Sequence, residues 1–154
     1  YIALDAATKA ADVRVCYGRS FYAGAANATT PNAGEVIGIL SGATPGAVRS
    51  GMEAALTALE SIGFEEANGV PYLAHTVASV GSFLAREAEV ELGSSVAYLI
   101  APPLESMYAM DAALKAADVK LQSIVKACHL TGHTHIIFRV EVTNPRIHIP
   151  YLTV

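Results

Sequence analysis

The segment Asp5-Ala6-Ala7-Thr8-Lys9-Ala10-Ala11-Asp12-Val13-Arg14-Val15 returns 106 residues later as Asp111-Ala112-Ala113-Leu114-Lys115-Ala116-Ala117-Asp118-Val119-Lys120-Leu121, with eight of eleven positions identical. A chain built this way contains a duplicated structural module. Each copy reads as an Ala-rich helix running through Lys-Ala-Ala-Asp-Val into a β-branched strand. Two similar helix-strand units are therefore expected, packed on one another or side by side.

At 154 residues there is room for one ordinary domain or two small ones, and the repeat favours two. Apolar residues make up 53% of the chain and charged residues only 16%, which points to surface buried against other subunits. The rival explanation is the alanine content, because Ala-rich helices need no partner. No apolar run reaches the eighteen or so residues of a membrane span. A net charge of −4 with scattered Lys and Arg leaves no footprint for nucleic acid. Cys16 and Cys128 are the only cysteines, and nothing at the start of the chain reads as an export signal, so a reducing cytoplasm is the expected compartment.

Along the chain, residues 5–11 read as helix and 13–17 as strand, followed by a long loop over 18–32 rich in Gly, Ala, Asn, Thr and Pro. The chain thus opens inside a module. Residues 35–41 form a second strand, whose run Val36-Ile37-Gly38-Ile39-Leu40 is of the buried type. The next helix has Thr44 as N-cap, Pro45 at its first position and Val48, Met52, Ala55, Leu56 and Leu59 on one face, with Gly63 just beyond its end. A strand over 73–78, a helix over 82–88 and a buried strand over 96–101 follow, and Pro102-Pro103 leads into the repeat helix and its strand. Residues 133–142 alternate like an exposed strand, and 144–150 read as a turn and a further extended segment. The architecture expected is α+β, with helices covering one face of mainly antiparallel sheets.

Three other constellations carry little chemistry. Cys128, His129, His133 and His135 form the one cluster with metal-ligand chemistry, and a zinc or copper enzyme or sensor built on it is the weakest functional alternative. No second Cys or carboxylate cluster adjoins it, so no metal site is expected. Gly42-Ala43-Thr44-Pro45-Gly46 lacks the Lys-Ser/Thr of a phosphate loop, and a helix cap explains it. Ser79, Ser82 and His75 form no nucleophile motif. No cofactor is expected.

Three stretches together closely resemble the tandem bacterial-microcompartment shell proteins of the ethanolamine-utilisation type. They are Val15-Cys16-Tyr17-Gly18-Arg19-Ser20-Phe21-Tyr22-Ala23-Gly24-Ala25, then Ala33-Gly34-Glu35-Val36-Ile37, then Ala97-Tyr98-Leu99-Ile100-Ala101-Pro102-Pro103-Leu104-Glu105. The resemblance covers roughly residues 1 to 125, with the motifs in the family's order. Propanediol-type tandem shell proteins share several of these words and are the alternative.

The resemblance implies two circularly permuted microcompartment domains in one chain, here a first module over 1–66, a second over 67–126 and a divergent tail over 127–154. Set against the family, the first module lacks its N-terminal elements and the second its final helix. The resemblance also implies a structural, non-enzymatic subunit in the shell of a cytoplasmic microcompartment. Such subunits form homotrimers with a pseudo-hexameric outline, tile with other shell proteins, and pass small metabolites such as ethanolamine through pores. The pore-gating loop falls on Tyr17, Gly18, Arg19, Ser20, Phe21, Tyr22, Ala23, Gly24 and Ala25. Glycines on either side of Phe21 and Tyr22 suit a plug that swings on its backbone, while simple anchoring of a long loop to the core explains the same two residues. Glu35 and Phe64 match positions near the small pore, where a carboxylate suits the ammonium of ethanolamine. Without the resemblance, Glu35 reads rather as an exposed residue heading a strand, and a small-amine binding module without a shell role is the remaining alternative.

Overall fold

The computed structural model describes residues 1–20, 36–125 and 134–140, with residues 20, 123–125 and 134–140 described by their backbone alone. The two copies of the repeat adopt the same local structure. Helix α1 (Ile2–Ala10) ends where Ala11 turns extended, at φ −148° and ψ 159°, while its N–H still reaches Ala7 O. Helix α4 (Pro103–Ala116) ends the same way at Ala117, at φ −145° and ψ 156°, with its N–H on Ala113 O. Val13 N–H then bonds Ala11 O at 2.8 Å, Val119 N–H bonds Ala117 O at 2.9 Å, and strands β1 (Val13–Ser20) and β6 (Val119–Val125) begin.

Even the irregularities match. The pairing of β1 slips by one residue between Val15 and Tyr17, and that of β6 between Leu121 and Ser123. The extra residues are Cys16 and Gln122, again 106 positions apart. A bulge repeated at one place is a built-in bend of the module, since it re-aims every side chain beyond it.

β1 pairs antiparallel with β2 (Val36–Gly42) as a two-stranded sheet. Its covered face lies against α1 and against α2 (Pro45–Ser61), whose N-cap Thr44 accepts from Ala47 N–H at 3.2 Å with Pro45 opening the helix. Ala7, Val13 and Ala55 form the buried core here, with Leu40, Ala47 and Val48 packed around them. Two expectations fail at this point. Of the apolar face read for α2, Met52, Leu56 and Leu59 are exposed, and the buried side is centred on Gly51 and Ala55. Small residues win because α1 and β1 come so near that a Cβ on Gly51 would lie 3.0 Å from Val13 Cγ2. The run 36–40 is also not buried. Helices cover only one side of the hairpin, leaving Ile37 and Ile39 48% and 51% exposed on the other.

The second sheet has the order β3-β4-β5-β7-β6, antiparallel throughout. Strand β3 (Glu65–Ala67), absent from the sequence reading, joins β4 (Val70–Val77) through Asn68 and Gly69. Both have positive φ, 53° and 79°, as the mirror-image two-residue hairpin turn demands. Helix α3 (Ser82–Glu87) leads to β5 (Ser95–Ala101), which is buried along nearly its whole length. Strand β7 (Thr134–Val140) falls between β5 and β6 and is bonded on both edges. It is thus an inner strand of the sheet, a place its alternation could not show, because alternation reports faces and says nothing of edges.

Because side chains alternate, the two faces of β5 serve two cores. Val96 and Tyr98 pack with Leu73, Val77, Val80, Leu84 and Ile2 of α1, whereas Ala97 and Leu99 meet Ala109, Met110 and Ala113 of α4. Burial pushes the Tyr98 phenol far above its usual range, so it stays neutral.

Candidate functional site

The residues expected to gate a pore begin on the β1-β2 hairpin. Tyr17, Gly18, Arg19 and Ser20 belong to β1, so the strand runs three residues beyond its expected end at Tyr17. Cross-strand pairs extend to Ser20 with Val36, which brings the ends of the intervening stretch together. Phe21, Tyr22, Ala23, Gly24, Ala25 and Glu35 lie outside the described residues.

The bulge at Cys16 decides what this hairpin shows to solvent. Beyond it Tyr17 pairs with Ile39 and Arg19 with Ile37, all exposed, on the same face as Arg14. Without the extra residue, Tyr17 and Arg19 would turn toward α1. Gly18 takes the inner side instead, where a Cβ would lie 3.1 Å from both Leu4 Cδ1 and Phe83 Cζ. Tyr1 donates its hydroxyl to Gly18 O at 3.3 Å and meets the Phe83 ring edge-on at 5.6 Å. Gly18 is therefore a packed strand residue rather than an open hinge.

On the exposed face Cys16 Sγ lies 3.0 Å from Ser41 Oγ and 3.8 Å from Arg14 Nη2. The Ser41 hydroxyl first, and the Arg14 guanidinium after it, hold the thiol below its ordinary range. Phe64, between α2 and β3, is 60% exposed. Beside it, Tyr72 donates to Glu65 at 2.8 Å across the short hairpin. Cys128, His129 and His133 lie outside the described residues. Among the described residues no three His, Cys, Asp or Glu side chains converge as metal ligands.

Sequence reasoning missed one polar node. Asp5 is fully buried and accepts from Gly81 N–H at 2.8 Å and Leu84 N–H at 2.9 Å, so α1 caps the first turn of α3. Lys9 adds an ion pair to Asp5 at 3.3 Å and donates to Ser79 O at 3.1 Å. Gly81 has no room for a side chain, since a Cβ would come within 2.9 Å of Asp5 Oδ1. The repeat marked Asp5, but its copy Asp111 has a 59% exposed side chain paired with Lys115. No local signal separates the two.

The model of the BMC domain matches residues 1–71. Over 125 residues the chain is 56% identical to the bacterial microcompartment shell protein EutL of Clostridium perfringens, an alignment covering 79% of this chain and 58% of that protein. Over 129 residues it is 50% identical to EutL of Escherichia coli, covering 81% and 59%. A monoclinic crystal structure of EutL from Clostridium perfringens shares the fold with a TM-score of 0.79 at 49% identity, over 89% of this chain and 64% of that one. The chain thus spans less than two thirds of the length of the relatives it matches.

Proposed function

The chain belongs to the BMC-domain family of bacterial microcompartment shell proteins, and from that premise we propose that it is a structural shell subunit of the ethanolamine-utilisation type. The observation that carries this reading is the 56% identity to a shell protein over 125 residues. Its place is the shell of a cytoplasmic microcompartment, its partners are copies of itself and other shell proteins, and its work is to tile and to admit small metabolites rather than to catalyse. No described helix is long and apolar enough to cross a membrane.

In this reading residues 1–66 and 67–126 are two permuted modules, three chains form a pseudo-hexamer, and residues 17–25 gate its central pore. Exposed Ile37, Ile39, Met52, Leu56 and Leu59 support the trimer, since subunit contacts are where such apolar surface is removed from water. Glu35 and Phe64 serve the small pore, with the carboxylate receiving the ammonium of ethanolamine.

Sedimentation at micromolar concentration tests the assembly. A mass near three times the 16.0 kDa chain is expected, and a strictly monomeric species overturns the trimer. Calorimetric titration with ethanolamine, wild type against Glu35→Gln, tests the small pore separately. Equal binding by both proteins removes Glu35 from that role.

A further inference from the structure

The turn between β3 and β4 carries the one Asn-Gly pair of the sequence. Asparagine is followed by alanine at Asn27 and Asn32, by proline at Asn144 and by glycine only at Asn68. The follower matters because its backbone nitrogen can attack the carboxamide of the asparagine before it. A side chain on the follower obstructs that attack, and proline has no N–H to give up. At Gly69 a Cβ would meet nothing within 4 Å, and both turn residues are exposed. The turn is closed by Ala67 and Val70, which pair across it, so the Gly69 amide stands outside the ladder. Little structure holds the turn still, since β3 is three residues long and forms the edge of its sheet.

We propose that Asn68-Gly69 is a site of spontaneous covalent modification, which converts the turn to isoaspartate and releases β3 from the sheet. The Gly69 nitrogen loses its proton and bonds to Asn68 Cγ, the Cγ–Nδ2 bond breaks, and ammonia leaves behind a cyclic imide. Water then opens the ring. Cleavage of the new N–Cγ bond leaves an ordinary aspartate, whereas cleavage of the original peptide C–N bond leaves isoaspartate, whose main chain runs through Cγ. Every bond change is a substitution at a carbonyl carbon, so no oxidant or reductant enters. The isoaspartyl product puts an extra methylene into a two-residue turn whose backbone is set by positive φ at both positions, 53° and 79°. It also adds a negative charge beside Glu65 and Glu66. The longer turn pulls apart the Ala67-Val70 pair and the bond from Tyr72 to Glu65. Phe64, directly before β3, then loses its anchor. This inference does not depend on a shell role.

The test incubates the whole chain at about pH 8 and at about pH 6, beside a peptide of residues 63–73, and maps each by proteolysis and mass spectrometry. A gain of about one mass unit is expected in the fragment holding Asn68, faster at the higher pH because Gly69 must give up its proton. The folded chain is expected to convert at no less than about one hundredth of the peptide's rate, since fraying of a short edge strand is a low-energy opening. Asn68→Gly keeps a residue suited to positive φ and removes the carboxamide, so it is expected to gain no mass in that fragment. In the separated isoaspartyl fraction, hydrogen-exchange protection of the Ala67, Val70 and Tyr72 amides is expected to fall about tenfold. A folded chain that converts more slowly than that limit overturns the proposal, because the turn then protects its own asparagine. Conversion mapped to Asn27 or Asn32 instead, or a rate indifferent to pH, also overturns it. Unchanged protection in the isoaspartyl fraction refutes the release of β3.

Discussion

Replacing Asp5 with alanine removes the acceptor of two buried amides, Gly81 N–H at 2.8 Å and Leu84 N–H at 2.9 Å. Neither amide gains a partner in exchange, because Gly81 and Leu84 are themselves buried. A buried donor left unsatisfied costs about 1–3 kcal/mol, and the lost negative charge at a helix N-terminus about 0.3–1 kcal/mol more. The better helix propensity of alanine returns about 0.6 kcal/mol. Counted over both amides, the expected loss is therefore about 2–6 kcal/mol, or roughly 4–24 °C in Tm at about 2–4 °C per kcal/mol for a chain of this size. Asp111→Ala is the internal control. It has the same sequence neighbours and gains the same propensity, but it forfeits only an exposed i,i+4 pair with Lys115, worth about 0.3–0.5 kcal/mol. Urea unfolding of the two variants at equal m-values isolates the difference. If they lie within about 0.5 kcal/mol of one another, the buried cap contributes nothing and the account of the α1-α3 junction is wrong.

Two further outcomes concern titrating groups. The Cys16 thiol, lowered by Ser41 and Arg14, is expected to react with a thiol-specific alkylating agent faster at neutral pH than an ordinary exposed cysteine. Ser41→Ala should move the pH midpoint of that reaction upward, and an unchanged midpoint would remove Ser41 as the cause. His75 on β4 is lowered by burial first and by Lys9 second, so the folded chain favours its neutral form. Its unfavourable term is absent above the ordinary histidine value of about 6.5 and grows as the pH falls below it. Stability should accordingly drop between about pH 7 and pH 5, and His75→Gln should flatten that slope in thermal melts.

Much of the fold was legible because the relevant forces act locally. The two corners followed from repeated words, the start of α2 from Thr44-Pro45, and β5 from its continuous apolar run. The exposed stripe on α2 was misread because apolar periodicity weighs hydrophobicity, whereas close approach to α1 selects for smallness at Gly51 and Ala55. Asn68-Gly69 was a hairpin signal in plain view and went unused. The position of β7 was beyond reach, since its pairing with β5 joins residues more than thirty positions apart, from Ala101 with Thr134 to Ser95 with Val140. At the candidate site the motif words put Tyr17 and Arg19 at the border between the first strand and the loop after it. Only the register slip at Cys16 fixes the face they occupy. Asp5 was the hardest to see, because its identical twin is solvated and environment alone distinguishes a cap from a surface charge.

The sheet order β5-β7-β6 carries a consequence for how the chain comes off the ribosome. β5, α4 and β6 emerge first and in sequence, yet the two strands cannot bond to each other, because the slot between them belongs to a strand not yet made. Until β7 arrives, two ladder edges stand open and the sheet exists in halves joined only by a helix. Closing that gap is a long-range step of the slow kind, and every nascent copy passes through it. Neighbouring nascent chains on one message would present one another with the missing strand, so synthesis rate and local crowding should govern the yield of correctly closed chains.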